Sequence, residues 1–309
     1  MTSEKIILGQ NTGYPLRGLL TLPENTAQPL PAVVFVHGSG SSNMDEKVGK
    51  LTPFRDLAEG LAQHGIASVR YDKRSFSHGM KMLRDPSSPI TVRQETIEDA
   101  VLAAELLRRD TRIDPSRIFI IGHSMGAMLA PRIDAEGGDF AGFILMAGTL
   151  RKLEDVMLSQ TAQALAELPA FLRMIAGKQA QKLTRLFDGL YDLPDAQAMK
   201  KKVGGGTTLY YFKEMGEHPA ADYLKVSCKP MLIMQGERDV QVKADVDYRG
   251  YQELLGDRNN VTFRLYPGLN HAFVPAVTSS IAKARQEFAA ERHIGADVIA
   301  DIANWILSI

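Results

Sequence analysis

Six short strand-like runs recur along the chain with helical patterns between most of them: Ala32–His37, Ile66–Tyr71, Ile118–Ile121, Phe143–Met146, Met231–Met234 and Val261–Tyr266. Ala32–His37 is apolar almost throughout, the pattern of a strand buried on both faces. Between the runs, Phe54, Leu57, Ala58 and Leu61 share one helical face closed by Gly65, as do Ile97, Val101, Ala104 and Leu107. A helix is also predicted from Met125 to about Ile133, with Pro131 weakening its later half. Others are predicted at Ala244–Leu255 and at the C-terminus near Trp305. Strands alternating with helices predict a mostly parallel sheet covered by helices on both faces. Ahead of it, Lys5–Leu22 reads as two strands joined through Asn11-Thr12-Gly13.

The alternation breaks at about 150–223, where no strand-like run is clear and Leu, Met, Ala and Gln dominate. This segment predicts a helical insertion within one domain of 1–309. It is expected over the carboxyl edge of the sheet, where ligands of parallel sheets bind. Its Leu165, Leu168, Phe171, Leu172, Met174, Ile175, Leu183 and Leu186 are expected mostly to pack on helices. Gly204-Gly205-Gly206 reads as a flexible joint.

Lys plus Arg and Asp plus Glu each total 36, so the formal net charge is zero and gives no argument for nucleic acid or an anionic membrane. The single cysteine, Cys228, excludes an internal disulfide and is expected to be a small buried filler. No stretch approaches the roughly 20 apolar residues of a membrane span, and a soluble cytoplasmic protein is the expectation. The sequence leaves the oligomeric state open, a homodimer included.

Chemistry concentrates at strand ends. Gly122-His123-Ser124-Met125-Gly126 lies between a predicted strand and a predicted helix. A sharp strand-to-helix turn there would lift the Ser124 hydroxyl above the sheet, with small residues at Gly122 and Gly126 allowing the tight packing. A serine hydroxyl needs a base. Of the seven histidines, His64 is expected at a helix end, His78, His218 and His293 in solvent, and His123 to diverge from its neighbour Ser124. His271 stands in the loop after the last strand and opens on the same sheet edge. Asp239, at the end of Met231–Met234, is the expected acid partner. Its competitors are Glu237, expected to point away, and Asp245 and Asp247, expected to cap or to lie on the exposed face of the next helix. Ser39 and Met125 are the expected backbone donors of an oxyanion hole, with Gly38 and Gly40 shaping the loop and His37 bracing it.

The order Ser124, Asp239, His271 is that of α/β-hydrolases. Together with His37-Gly38-Ser39-Gly40, Arg70-Tyr71-Asp72-Lys73-Arg74 and Asn270-His271, it makes the chain resemble the α/β-hydrolase superfamily over nearly its whole length. Within that superfamily it is similar to bacterial serine carboxylesterases related to dienelactone hydrolases and cinnamoyl or feruloyl esterases. The resemblance implies a Ser124–His271–Asp239 triad, Ser39 and Met125 as oxyanion donors, a small-molecule ester or thioester substrate, and no cofactor or metal. It departs from relatives at Ser75-Phe76-Ser77-His78-Gly79, where a glycine-rich turn is usual. Ester hydrolysis is the leading expectation. Thioester hydrolysis or acyl transfer by the same triad, and a binding protein that lost turnover, are the alternatives.

Overall fold

The computed structural model describes residues 1–24, 29–84, 90–204 and 206–309. The chain opens with β1 (Thr2–Leu8), β2 (Leu16–Leu22) and β3 (Leu30–Val36), followed by α1 (Pro53–Gln63), β4 (Ala67–Tyr71) and α2 (Arg74–Arg84). Next come α3 (Glu98–Arg109), β5 (Ile113–His123), α4 (Met125–Ile133) and β6 (Phe143–Met146). Across 150–223 come α5 (Leu153–Ala166), α6 (Ala170–Phe187), the short α7 (Asp195–Ala198) and, beyond a hairpin of β7 (Lys202–Gly204) with β8 (Thr207–Thr208), α8 (Leu209–Glu217). The chain closes with α9 (Ala220–Val226), β9 (Met231–Gly236), α10 (Arg249–Leu255), β10 (Val261–Tyr266) and α11 (Ala296–Ser308).

Eight strands form one sheet in the order β1-β2-β4-β3-β5-β6-β9-β10. β4, β3, β5, β6, β9 and β10 run parallel, while β2 and β1 extend one edge antiparallel. The fold is therefore the mostly parallel, helix-covered sheet that the alternating pattern predicts. Side-chain alternation divides the core. Val34, Val36, Ile118, Ile120, Leu145 and Ile233 pack on the face covered by α3, α4 and α10. Val33, Phe35, Phe119, Ile121, Ile144 and Leu232 pack on the other, against α1 and α11. All seven residues of β3 are buried, which explains its continuous apolar run. Removing a ring such as Phe35 to alanine would cost about 3–5 kcal/mol.

Some local expectations change. Arg74–Arg84 is helical, so Ser75–Gly79 is the first part of α2 and not a loop. β5 begins at Ile113, five residues ahead of the predicted run Ile118–Ile121, and takes in Asp114-Pro115. Gly204 ends β7, which pairs antiparallel with β8, a pairing that the sequence pattern did not reveal. Gly206 there is at φ +91°, and Gly205 lies outside the described residues. Cys228 is exposed, so it is no core filler. Among the described residues, no helix is long and apolar enough to cross a membrane.

Candidate active site

Strands β3, β4, β5, β9 and β10 all release their chains at the carboxyl edge, and the residues singled out in the sequence lie just beyond them. Ser124 directly follows β5 at φ 54° and ψ −117°, a conformation that an L side chain rarely adopts. Such backbone strain costs on the order of 1–3 kcal/mol and persists only where the surroundings enforce it. Here they do. A Cβ on Gly122 would sit 2.3 Å from the Gly126 carbonyl oxygen, and one on Gly126 would sit 2.1 Å from that of Val36. Only glycine lets the turn close against β3. The Ser124 N–H donates to the Met146 carbonyl at 2.9 Å, fixing the elbow to β6.

His271 reaches this edge from the loop after β10. Its Nδ1 lies 2.6 Å from Asp239 Oδ2. Asp239 is buried and held on every side, accepting from the Gln241 and Val242 N–H groups at 2.7 and 3.0 Å and from Gln235 Nε2 at 3.0 Å. The His271 loop is shaped by Asn270, whose side chain accepts from the Ala272 N–H and donates to Glu287. Ser124 and His271 line the same two cavities, of about 200 and 270 Å³, and Ser39 lines both as well. No hydrogen bond joins the Ser124 hydroxyl to His271 among the described residues. In a site without substrate such contacts are often long, and they tighten in the complex.

The loop after β3 packs directly on the serine: a Cβ on Gly38 would approach Ser124 Cβ to 3.2 Å. Gly40 takes the left-handed conformation at φ +86°. His37 is buried, its Nε2 bonding the Tyr71 carbonyl at 2.7 Å and its ring lying 5.0 Å from that of Phe54. Burial drives its pKa below the ordinary 6.5, which suits a neutral brace.

The other candidates disperse. Glu237 is exposed and accepts from the Gly268 N–H. Asp245 is exposed at the start of the following helical turn, as expected. Asp247 is buried and so lies on no solvated face, but it does serve the helix start, accepting from the Lys243 N–H at 2.8 Å; Thr149 and Arg151 also donate to it at 2.6 to 3.0 Å and tie the end of β6 to the α10 region.

Three residues that the sequence reading passed over belong to the site. His123 makes no hydrogen bond with the Ser124 side chain among the described residues, yet it lines the 200 Å³ cavity with it. Its Nε2 donates to the His271 carbonyl at 2.9 Å, and its Nδ1 lies 3.0 Å from Glu46 Oε2. Glu46 Oε1 in turn accepts from the Gly38 N–H at 2.8 Å. Burial alone would neutralise this pair. For His123 burial is outweighed only by the Glu46 charge and contact together with the His271 carbonyl and the Asp239 charge, which hold its pKa above the ordinary 6.5; for Glu46 the His123 charge and contact, the His37 charge and the Gly38 N–H together outweigh burial and hold the carboxyl below 4.5. The pair thus joins the β3 loop, the serine elbow and the His271 loop. Lys73, in the Arg70–Arg74 run after β4, is 1% exposed and donates to the Gly38 and Gly40 carbonyls. A charged run directly after a buried strand was a usable signal for Lys73. The Asn43–Glu46 loop offered none for Glu46.

No group of three or more His, Cys, Asp or Glu side chains placed to hold a metal ion occurs among the described residues.

A profile of the alpha/beta hydrolase family matches residues 33–290. The chain is 34% identical over 292 residues to esterase EstD of Thermotoga maritima, a match covering 94% of this chain and 65% of that protein. The chain thus spans just under two thirds of that relative's length. In structure it is similar to Est1E from Butyrivibrio proteoclasticus, with a TM-score of 0.58 at 13% identity over 99% of both chains. It is also similar to a Pyrococcus furiosus esterase, with a TM-score of 0.57 at 16% identity over 99% of this chain and 91% of that one. At such identities the two structures speak for the fold alone. On the family match and the architecture together, this chain belongs to the alpha/beta hydrolase family.

Proposed function

We propose that the protein hydrolyses carboxylic esters of small molecules through Ser124, His271 and Asp239. One arrangement carries this reading: the strained Ser124 elbow and His271, which is held by Asp239 at 2.6 Å, line the same cavities. The esterase name of the Thermotoga relative supports the substrate class.

In this mechanism Ser124 Oγ attacks the ester carbonyl carbon while His271 Nε2 takes the hydroxyl proton. Asp239, bonded to Nδ1, fixes the ring and stabilises the imidazolium. The carbonyl π electrons move onto oxygen, and the Ser39 and Met125 N–H groups accept that charge as donors. Each such donor is worth about 3 kcal/mol. Collapse of the intermediate breaks the bond to the alcohol, which leaves with the proton from His271. A water molecule then repeats the attack on the acyl-serine, His271 taking its proton and returning it to Ser124, and the acid departs. Gly122 and Gly126 allow the elbow, Gly38 and Gly40 the donor loop, and His37 braces it. The helical segment 150–223 acts as a cap: Leu153, Val156, Met157 and Phe212 give the 270 Å³ cavity an apolar wall suited to an acyl chain.

A fluorophosphonate probe should label the wild-type protein and leave Ser124→Ala unlabelled, with hydrolysis of short aryl esters lost in parallel. Equal labelling of both proteins would remove Ser124 from the mechanism.

A further inference from the structure

A lysine with 1% exposure directly beside a reaction centre calls for a reason, since a buried ammonium is costly unless each donor finds an acceptor. Lys73 Nζ has three N–H groups and three oxygens around it: Gly38 O at 2.9 Å, Gly40 O at 3.1 Å and Glu95 Oε2 at 3.4 Å. Two of the three belong to the loop that carries Ser39.

The direction of the grip matters. The Gly38 carbonyl and the Ser39 N–H belong to one peptide group, planar and trans, so they point in opposite directions. An ammonium holding the carbonyl therefore points the N–H away from itself. The preceding peptide is held as well, because Glu46 takes the Gly38 N–H at 2.8 Å. The Lys73 backbone N–H also donates to the Ser42 carbonyl at 3.0 Å, and Asp72 accepts from the Met44 N–H at 2.9 Å. The whole loop is thus lashed to the end of β4.

The network extends to the second donor. Tyr211, buried on α8, donates to Glu95 Oε2 at 2.7 Å, and its hydroxyl oxygen lies 3.4 Å from the Met125 sulfur. Burial and the adjacent Glu95 push the Tyr211 pKa well above its ordinary 10, which keeps it a donor. Lys73, Glu95 and Tyr211 therefore form one buried chain from Gly38 to Met125.

We propose that Lys73 is a positioning residue of the oxyanion hole: its ammonium, seated behind the Gly38–Ser39 peptide and held there by Glu95 and Tyr211, aims the Ser39 N–H at the reacting carbonyl and polarises that amide. The charge acts through the peptide, with the ammonium on the far side from substrate. Because an interaction preorganised toward developing charge favours the transition state over the ground state, its removal should appear in kcat more than in KM. The inference rests on the proposed role of Ser39 as a donor.

The test uses the full chain. Lys73→Met/Glu95→Gln removes both charges together, so that neither is left buried alone. With active sites counted by fluorophosphonate titration, kcat on an aryl ester should fall by about 10- to 100-fold, with KM within about threefold of wild type. Affinity for a trifluoromethyl ketone, which forms the oxyanion, should fall by the same factor, while affinity for the corresponding uncharged amide stays level. Tyr211→Phe, which keeps the ion pair and removes one hydroxyl, should lower kcat by about 3- to 10-fold and decides the matter if the double variant does not fold. A titrated double variant with kcat within about threefold of wild type would overturn the proposal, as would equal weakening of both ligands. If the double variant does not fold, unchanged kcat in Tyr211→Phe would overturn it instead. A failure of wild-type labelling at Ser124 would strike the esterase reading itself and is scored separately.

Discussion

The carboxyl edge of the sheet and the helical segment 150–223 beside it treat side chains in opposite ways. At the edge, polar groups are buried and bonded: Asp239 is 5% exposed, Lys73 1% and His37 2%. Each is held by backbone groups, and Asp239 and Lys73 by side chains as well, so small displacements of those two break several contacts at once. In 150–223, α6 turns Phe171, Met174 and Ile175 to solvent at 65, 70 and 61% exposure. The side chains of this segment that reach the cavity are Leu, Val, Met and Phe, which tolerate changes of shape, together with Gln160. The contrast separates two tasks: the edge holds the proposed chemistry in fixed geometry, and the segment beside it, in its proposed role as a cap, would shape what can enter. Tyr211 is the exception, since it comes from α8 yet supports the edge.

The sharpest way to break this contrast is at the edge. Ser124→Ala should lower kcat by about 10⁶-fold, as loss of an activated serine does elsewhere, with little change in thermal stability. Asp239→Asn should lower kcat by about 10⁴-fold, because the amide favours the wrong imidazole tautomer. A pH-rate study of both variants would detect residual activity above these levels, which would point to another nucleophile or acid.

A bulky substitution in the overlying segment should act differently. Met157→Trp, filling the 270 Å³ cavity, should lower kcat/KM for long-chain esters by about 10- to 100-fold and leave acetyl esters within about threefold. A uniform loss across a graded acyl series would mean that this wall serves the chemistry after all.

The Glu46–His123 pair sharpens the comparison through pH. Glu46 is held below its ordinary 4.5, so its contribution to stability is complete above that value and is lost as pH falls through the lowered pKa. His123 is held above its ordinary 6.5, so its contribution is complete below that value and is lost as pH rises through the raised pKa. Both contributions are therefore whole between 4.5 and 6.5. The Tm advantage of wild type over Glu46→Gln/His123→Gln should be widest there and shrink on either side. A constant gap across the range would show that the pair carries no net charge separation. The smallest effect is expected on α6, where Met174→Lys should change unfolding free energy by no more than about 0.5 kcal/mol.

Much of the site was legible because strand ends can be read locally. A buried strand has a recognisable run, and whatever follows it emerges at a known edge. Ser124, Asp239 and His271 could be placed together on that basis, without knowledge of any contact between them. Lys73, Glu46, His123 and Tyr211 could not be connected in this way. Lys73 meets Gly38 across 35 residues, and Tyr211 meets Glu95 across 116. His123 could not be linked to the site from its place beside Ser124, because its partners come from two other loops, Glu46 from that after β3 and His271 from that after β10. The β7–β8 hairpin escaped notice since its strands are only three and two residues long.

The sequence by itself therefore determined the order of strands and helices, the glycines without which the Ser124 elbow could not close, and the residue types available at the carboxyl edge. These follow from periodicity, backbone sterics and side-chain chemistry, all of which act over a few residues. The tertiary structure alone decided which buried charges meet. It set the ammonium of Lys73 behind the Ser39 peptide and the Glu46–His123 pair between three loops, because burial strengthens such contacts only once distant segments have packed and excluded water.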